Sequence, residues 1–142
     1  LFDSLGWSDR EWSKKLGTSS YAVFYHVAEL LLKAHVSCVL ESNFKRDSDS
    51  AKVHDLQQRY GFRVVQIVCK ADGPVLFERF KERAASGHRH PGHVDTQNEE
   101  EFRNFFLTNR AEPLAIEGEV IELDTNTFTN IDIASLAKKV CG

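Results

Sequence analysis

Three short runs, residues 36–40 (VSCVL), 62–69 (FRVVQIVC) and 119–123 (EVIEL), constrain the fold of this chain more than any other feature. The first two are apolar with little alternation, the pattern of strands buried on both faces. The runs are separated by segments with helical spacing. Strands of this kind, alternating with helices of about 10 to 15 residues, pair in parallel through right-handed crossovers. The predicted fold is therefore a three-layer α/β domain, a parallel sheet flanked by helices. A chain of 142 residues suits one such domain.

The helices are marked by caps and stripes. Residues 9–16 are predicted as a short helix capped by Ser8 and ended by Gly17. A second, over 19–34, is capped by Ser19 or Ser20. It buries Phe24, Val27, Ala28 and Leu31 in one stripe, widened by Tyr21, Tyr25 and Leu32. Further helices are predicted over 48–60, stopped by Gly61, and over 75–85, opened by Asp72, Gly73 and Pro74. A loop over 87–96 precedes a helix over 98–108 whose first turn holds three Glu, which the helix dipole favours. The last helix is predicted over 131–140.

Composition excludes several classes. The net charge is -3 and the sequence pI about 6.1, so a broad electrostatic hold on nucleic acid is not indicated. The most apolar stretch of the helical region contains Glu29 and is far too short to span a bilayer, so no membrane partner is expected. Cys38 and Cys69 lie in runs that read as buried strands, and neither they nor Cys141 form a CxxC pair. Free thiols in a core fit a reducing cytoplasm. No GxSxG marks a hydrolase nucleophile. His88, His90 and His93 offer three imidazoles, but no paired cysteines stand near them to complete a structural zinc site.

In an open parallel sheet, ligands bind beyond the carboxyl ends of the strands. That rule selects Glu41-Ser42-Asn43, Lys70-Ala71-Asp72 and Asp124-Thr125-Asn126. A carboxylate such as Glu41 at a strand end suits a magnesium nucleotide, as a hard oxygen ligand or by orienting metal-bound water. The stretch 76–93, LFERFKERAASGHRHPGH, adds cations. Phe77, Phe80 and Ala84 form its inner stripe, and Arg79 and Arg83 stand four apart on one side. Arg89 follows in a loop with His88, His90 and His93. Such a segment can neutralise charge that spreads during phosphoryl transfer. The alternative is a solvated helix face on which Glu78 and Glu82 pair with the arginines.

Taken together, VSCVLESNF at 36–44, FRVVQIVCKADGPVLFERFKERAASGHRHPGH at 62–93 and LFDSLGWS at 1–8 resemble the later part of P-loop kinases of the AAA-type ATP-binding, zeta-toxin-like group. That group includes small-molecule and polynucleotide kinases. The resemblance implies ATP and Mg2+ as cofactors and a small-molecule or nucleotide acceptor. It places Glu41 at the acid beside the phosphate loop, in indirect contact with magnesium, with Asn43 and Phe44 on the same rim. It places Arg79, Arg83 and Arg89 among the lid arginines, on a lid over about 76–97. Asp124 and Thr125 match the loop near the adenine base, and Asp3 lies on the acceptor side.

One departure is plain: no GxxxxGK[ST] occurs in the 142 residues. That loop supplies backbone amides for phosphate and a hydroxyl for magnesium. Its strand is expected between the 36–40 and 62–69 strands. A further amino-terminal stretch of roughly 30 to 40 residues, the length of a βαβ opening, is therefore expected, and without it no ATPase activity. A nucleotide-binding regulatory or interaction module without transfer is the competing expectation.

Overall fold

The computed structural model describes residues 1–94, 98–129 and 131–141. The chain divides into two compact units, Leu1–Leu40 with Gly73–Asn109, and Glu41–Asp72 with Arg110–Gly142.

The second of these carries the sheet. Strand β1 (Val65–Lys70) pairs in parallel with β2 (Glu119–Asp124), in a register running from Val65 opposite Glu119 to Lys70 opposite Asp124. The predicted strands at 62–69 and 119–123 are thus found, in the predicted sense. The third is not. Residues 36–40 form neither helix nor strand and join no ladder, and Val39 is 88% exposed. A β-rich run becomes a strand only where another backbone offers it hydrogen bonds. Among the described residues β1 and β2 pair only with each other. The same shortage of neighbours leaves Ile67 and Val120 exposed, and of the β1 side chains only Val68 is buried. The cysteines follow suit: Cys38, Cys69 and Cys141 are all exposed rather than in the core.

A two-stranded sheet has little stability of its own, and polar side chains fasten this one. The helix at Arg46–Tyr60 (here α3, after two in the other unit) ends at Gly61 in the left-handed conformation, as its sequence predicts. Arg46 Nη1 donates to the Pro113 carbonyl at 2.6 Å. The Ala115 N–H donates to Ser50 Oγ at 2.9 Å, and Gln57 Nε2 donates to the Glu117 carbonyl at 2.9 Å. These three positions recur along one side of the helix, so α3 holds the segment that leads into β2 by hydrogen bonds more than by an apolar stripe. Gln66, the polar exception in an apolar strand, has a matching explanation. Its Oε1 accepts from the Leu114 N–H at 2.7 Å and its Nε2 donates to the Leu114 carbonyl at 3.2 Å. Leu114 is itself buried. Replacing Gln66 with leucine is expected to cost about 1–3 kcal/mol, because the Leu114 N–H loses its partner and its carbonyl keeps only the Ile116 N–H. Urea denaturation reads this directly, and an unchanged midpoint would remove Gln66 from the bracing. The closing helix α6 (Ile133–Cys141) is capped by Asp132, which accepts from the Ser135 N–H and hydroxyl. Those bonds hold the Asp132 carboxyl below its usual range.

The first unit is helical. A short α1 (Phe2–Leu5) precedes α2 (Arg10–Lys33), and α4 (Gly73–Ala85) and α5 (Glu99–Thr108) follow. The two helices predicted over 9–16 and 19–34 are one. The α2 helix starts at Asp9, whose carboxylate accepts from the Trp12 N–H, and runs through Gly17. Thr18, Ser19 and Ser20 do not cap a new start; their hydroxyls donate to the carbonyls of Lys14, Lys15 and Leu16. An internal glycine costs about 1 kcal/mol relative to alanine, too little to break a helix anchored on both sides of it by buried Leu16 and Ala28. The predicted 75–85 and 98–108 helices are present, with Pro74 in the first turn of α4.

Aromatic packing joins α4 to α5. Phe80 is 3% exposed, and its ring centroid lies 4.6 Å from that of Phe102 and 5.6 Å from that of Phe106. The backbones approach so closely that a Cβ at Gly73 would lie 2.6 Å from the Phe106 carbonyl oxygen. Arg10 ties α2 to α5 by covering the Phe102 ring at 4.8 Å and bonding Glu101 at 2.9 Å. That bond holds the Glu101 carboxyl below its usual range. No described helix is long and apolar enough to cross a membrane.

Candidate functional site

Parallel pairing brings the carboxyl ends of β1 and β2 to the same side, and the loop beyond β2 is closely tied there. Thr125, 8% exposed, donates both its N–H and its hydroxyl to the Lys70 carbonyl, at 2.7 and 2.9 Å. The Asp124 carboxylate accepts from the Asn126 N–H, and Asn126 Oδ1 in turn accepts from the Asp72 N–H, both at 2.8 Å. Lys70 pairs with Glu122 across the strands. Two of the three predicted strand ends, 70–72 and 124–126, are therefore one hydrogen-bonded edge. Within it Asp124 stays exposed while Thr125 is committed to the backbone of β1. Glu41 and Asn43 are exposed and make no hydrogen bond or ion pair with a described residue, and Phe44 is half-buried.

The other unit carries Asp3, Arg79, Arg83 and Arg89. Arg79 and Arg83 lie one turn apart on α4, Arg79 half-buried and Arg83 exposed. The pairing that competed for these arginines is absent at Glu78, which bonds Lys81 at 2.8 Å instead. Arg83 has no acidic partner among the described residues. Arg89 lies half-buried between His88 and His90. The three histidines do not converge on a point. His90 and His93 both pack on Phe2, one stacked and one edge-on, while His88 is exposed. Among the described residues no group of three His, Cys, Asp or Glu side chains is arranged to hold a metal ion. Of the predicted lid and its loop, residues 95–97 lie outside the described residues.

Sequence reasoning missed the partners of this loop. Asp3, assigned to the acceptor side, sits 3.2 Å from His90 Nε2, one residue from Arg89. Phe2 and Trp7 frame the same imidazole. The available signal was an aromatic pair in the first seven residues, whose destination no local pattern reveals. Two shallow clefts, one lined by Gln57, Arg63 and Glu117 and one by Asp9, Trp12 and Lys15, contain none of the predicted residues.

Comparison with known proteins agrees with this architecture. Residues 4–107 match the model of an AAA domain family. A solved structure of a "putative kinase" from Chloroflexus aurantiacus superposes with a TM-score of 0.87 at 35% identity, covering 99% of this chain and 76% of that one. No curated protein matches the sequence. The chain belongs to this AAA domain family, and its α/β fold is that of a P-loop kinase-like nucleotide-binding domain.

Proposed function

We propose that the protein is an ATP-dependent phosphotransferase acting on a small molecule or a nucleotide end. The observation that carries this reading is the likeness, along nearly the whole chain, to the structure described as that of a "putative kinase". The exposed Glu41 and Arg83, which have no partner among the described residues, fit it, since a hard oxygen and an available guanidinium are what Mg2+ and phosphate oxygens require.

In this reading ATP with Mg2+ supplies the transferred phosphoryl group. The chain supplies position and charge, which make up most of catalysis in such reactions. Arg79, Arg83 and Arg89 neutralise phosphate oxygens. Glu41 orients magnesium-bound water, with Asn43 and Phe44 beside it. Asp124 borders the base, and Thr125 holds that loop to β1. Asp3 stands on the acceptor side.

The test is thermal unfolding of the full-length protein with Mg-ATP, with Mg-GTP and with neither. A ligand present at about 100 times its Kd stabilises the native state by about 2.7 kcal/mol, a shift of several degrees. No shift with either nucleotide would sink the proposal. A shift without consumption of ATP across a panel of acceptors would favour the nucleotide-binding regulatory module.

A further inference from the structure

We propose that Phe2 and Gly92 are positioning residues that latch the amino-terminal segment to the arginine-bearing loop, so that the acceptor side and Arg89 become ordered together. The acceptor-side role of the segment rests on the function proposed above; the latch itself rests on contacts. The Phe2 ring stacks on His90 with centroids 5.0 Å apart and planes 9° from parallel, and meets His93 edge-on at 5.0 Å. Trp7 also meets this imidazole, its ring edge-on to His90 at 6.2 Å. His90 is held in place by accepting the Gly92 N–H at its Nδ1, 3.0 Å away, and its Nε2 faces Asp3.

Gly92 makes the approach possible. It is buried, and a Cβ there would lie 2.6 and 2.8 Å from Phe2 ring atoms and 2.8 Å from Trp7 Cβ. Real Cβ contacts are not that short, so even alanine has to displace the aromatic pair. The loop leaves this contact at Val94, which is buried with φ 49, a left-handed conformation that a β-branched residue adopts only when its surroundings impose it. The Asn98 side chain holds the Val94 carbonyl at 2.8 Å. On the other side, Trp12 Nε1 donates to the Gly6 carbonyl at 3.0 Å and ties the segment to α2. Arg89 thus stands one residue from an imidazole clamped by the segment that carries Asp3. Whatever orders one has to order the other.

Hydrogen exchange on the intact protein tests this without any turnover. In Gly92→Ala, amides of residues 2–7 are expected to exchange at least tenfold faster. In Phe2→Ala, amides of residues 88–94 are expected to do the same, with β1 amides unchanged in both. Phe2→Leu keeps the bulk, loses the stacking and serves if Phe2→Ala unfolds the unit. Each variant loosening only its own segment would overturn the latch. Where acceptor turnover is measurable, Gly92→Ala is expected to raise the acceptor KM and lower kcat, and to add little to the kcat loss of Arg89→Ala; full additivity would count against the coupling. A protein that shows coupled exchange but no turnover would refute the kinase reading while leaving the latch standing.

Discussion

Phe80→Ala is expected to lower the stability of the helical unit by about 3–5 kcal/mol, the usual cost of removing a buried phenyl ring. The size follows from where the ring lies. Phe80 is almost wholly buried, with Phe77, Phe102 and Phe106 around it at centroid distances of 6.3, 4.6 and 5.6 Å. The α4 and α5 backbones already approach closely at Gly73, which limits how far they can close on the space. Most of the cavity therefore persists, and the cavity contribution adds to the lost transfer free energy. Phe105, on the same helix as Phe102, is about half exposed and is the internal control. Its alanine variant is expected to lose well under half as much. Chemical denaturation of the two variants decides the matter, and equal losses would show that the α4–α5 aromatic contact is not what holds this unit.

Arg83→Ala is expected to reduce turnover by about 10²–10³-fold while changing nucleotide affinity far less. Charge from such a side chain acts most strongly where negative charge spreads in the transition state, so its loss falls on kcat rather than on KM. The choice of Arg83 rests on its surroundings. Glu78, the acid predicted to occupy an arginine on this face, bonds Lys81. An exposed guanidinium on α4 with no acidic partner among the described residues is available to an anionic ligand. Arg83→Lys is expected to recover only part of the loss, since lysine keeps the charge without the planar fork. Steady-state kinetics with the true acceptor measures both. Unchanged turnover in Arg83→Ala would remove this residue from the chemistry.

What the sequence made legible was whatever depends on neighbours along the chain. Gly61 ends α3 in the left-handed conformation it was expected to adopt. Pro74 sits in the first turn of α4, and the 98–108 segment is the helix its acidic first turn suggests. The parallel sense of β1 and β2 was legible too, because a helical crossover between strands permits little else. The candidate site residues divide in the same way. Arg79 and Arg83 were read correctly as sharing one side of a helix, a matter of local spacing.

Partners distant in sequence were not legible. Residues 36–40 have the composition of a strand but no ladder, since a strand exists only in relation to another backbone. Gln66 looked like an exception until both its donor and its acceptor proved to be bonded to the backbone of Leu114, 48 residues away. Thr125 was matched to a nucleotide loop, yet its hydroxyl is bonded to Lys70, 55 residues earlier. The metal-like spacing of His88, His90 and His93 was resolved by Phe2, near the opposite end of its unit's sequence. By itself, then, the sequence determined most helix limits, though not the continuity of α2 through Gly17, together with strand direction and the side of α4 that bears the cations, because backbone conformation and side-chain periodicity are local. Tertiary structure alone decided which polar groups are used up by the fold and which remain for a ligand. That distinction depends on hydrogen bonds and ring contacts between residues that only folding brings together.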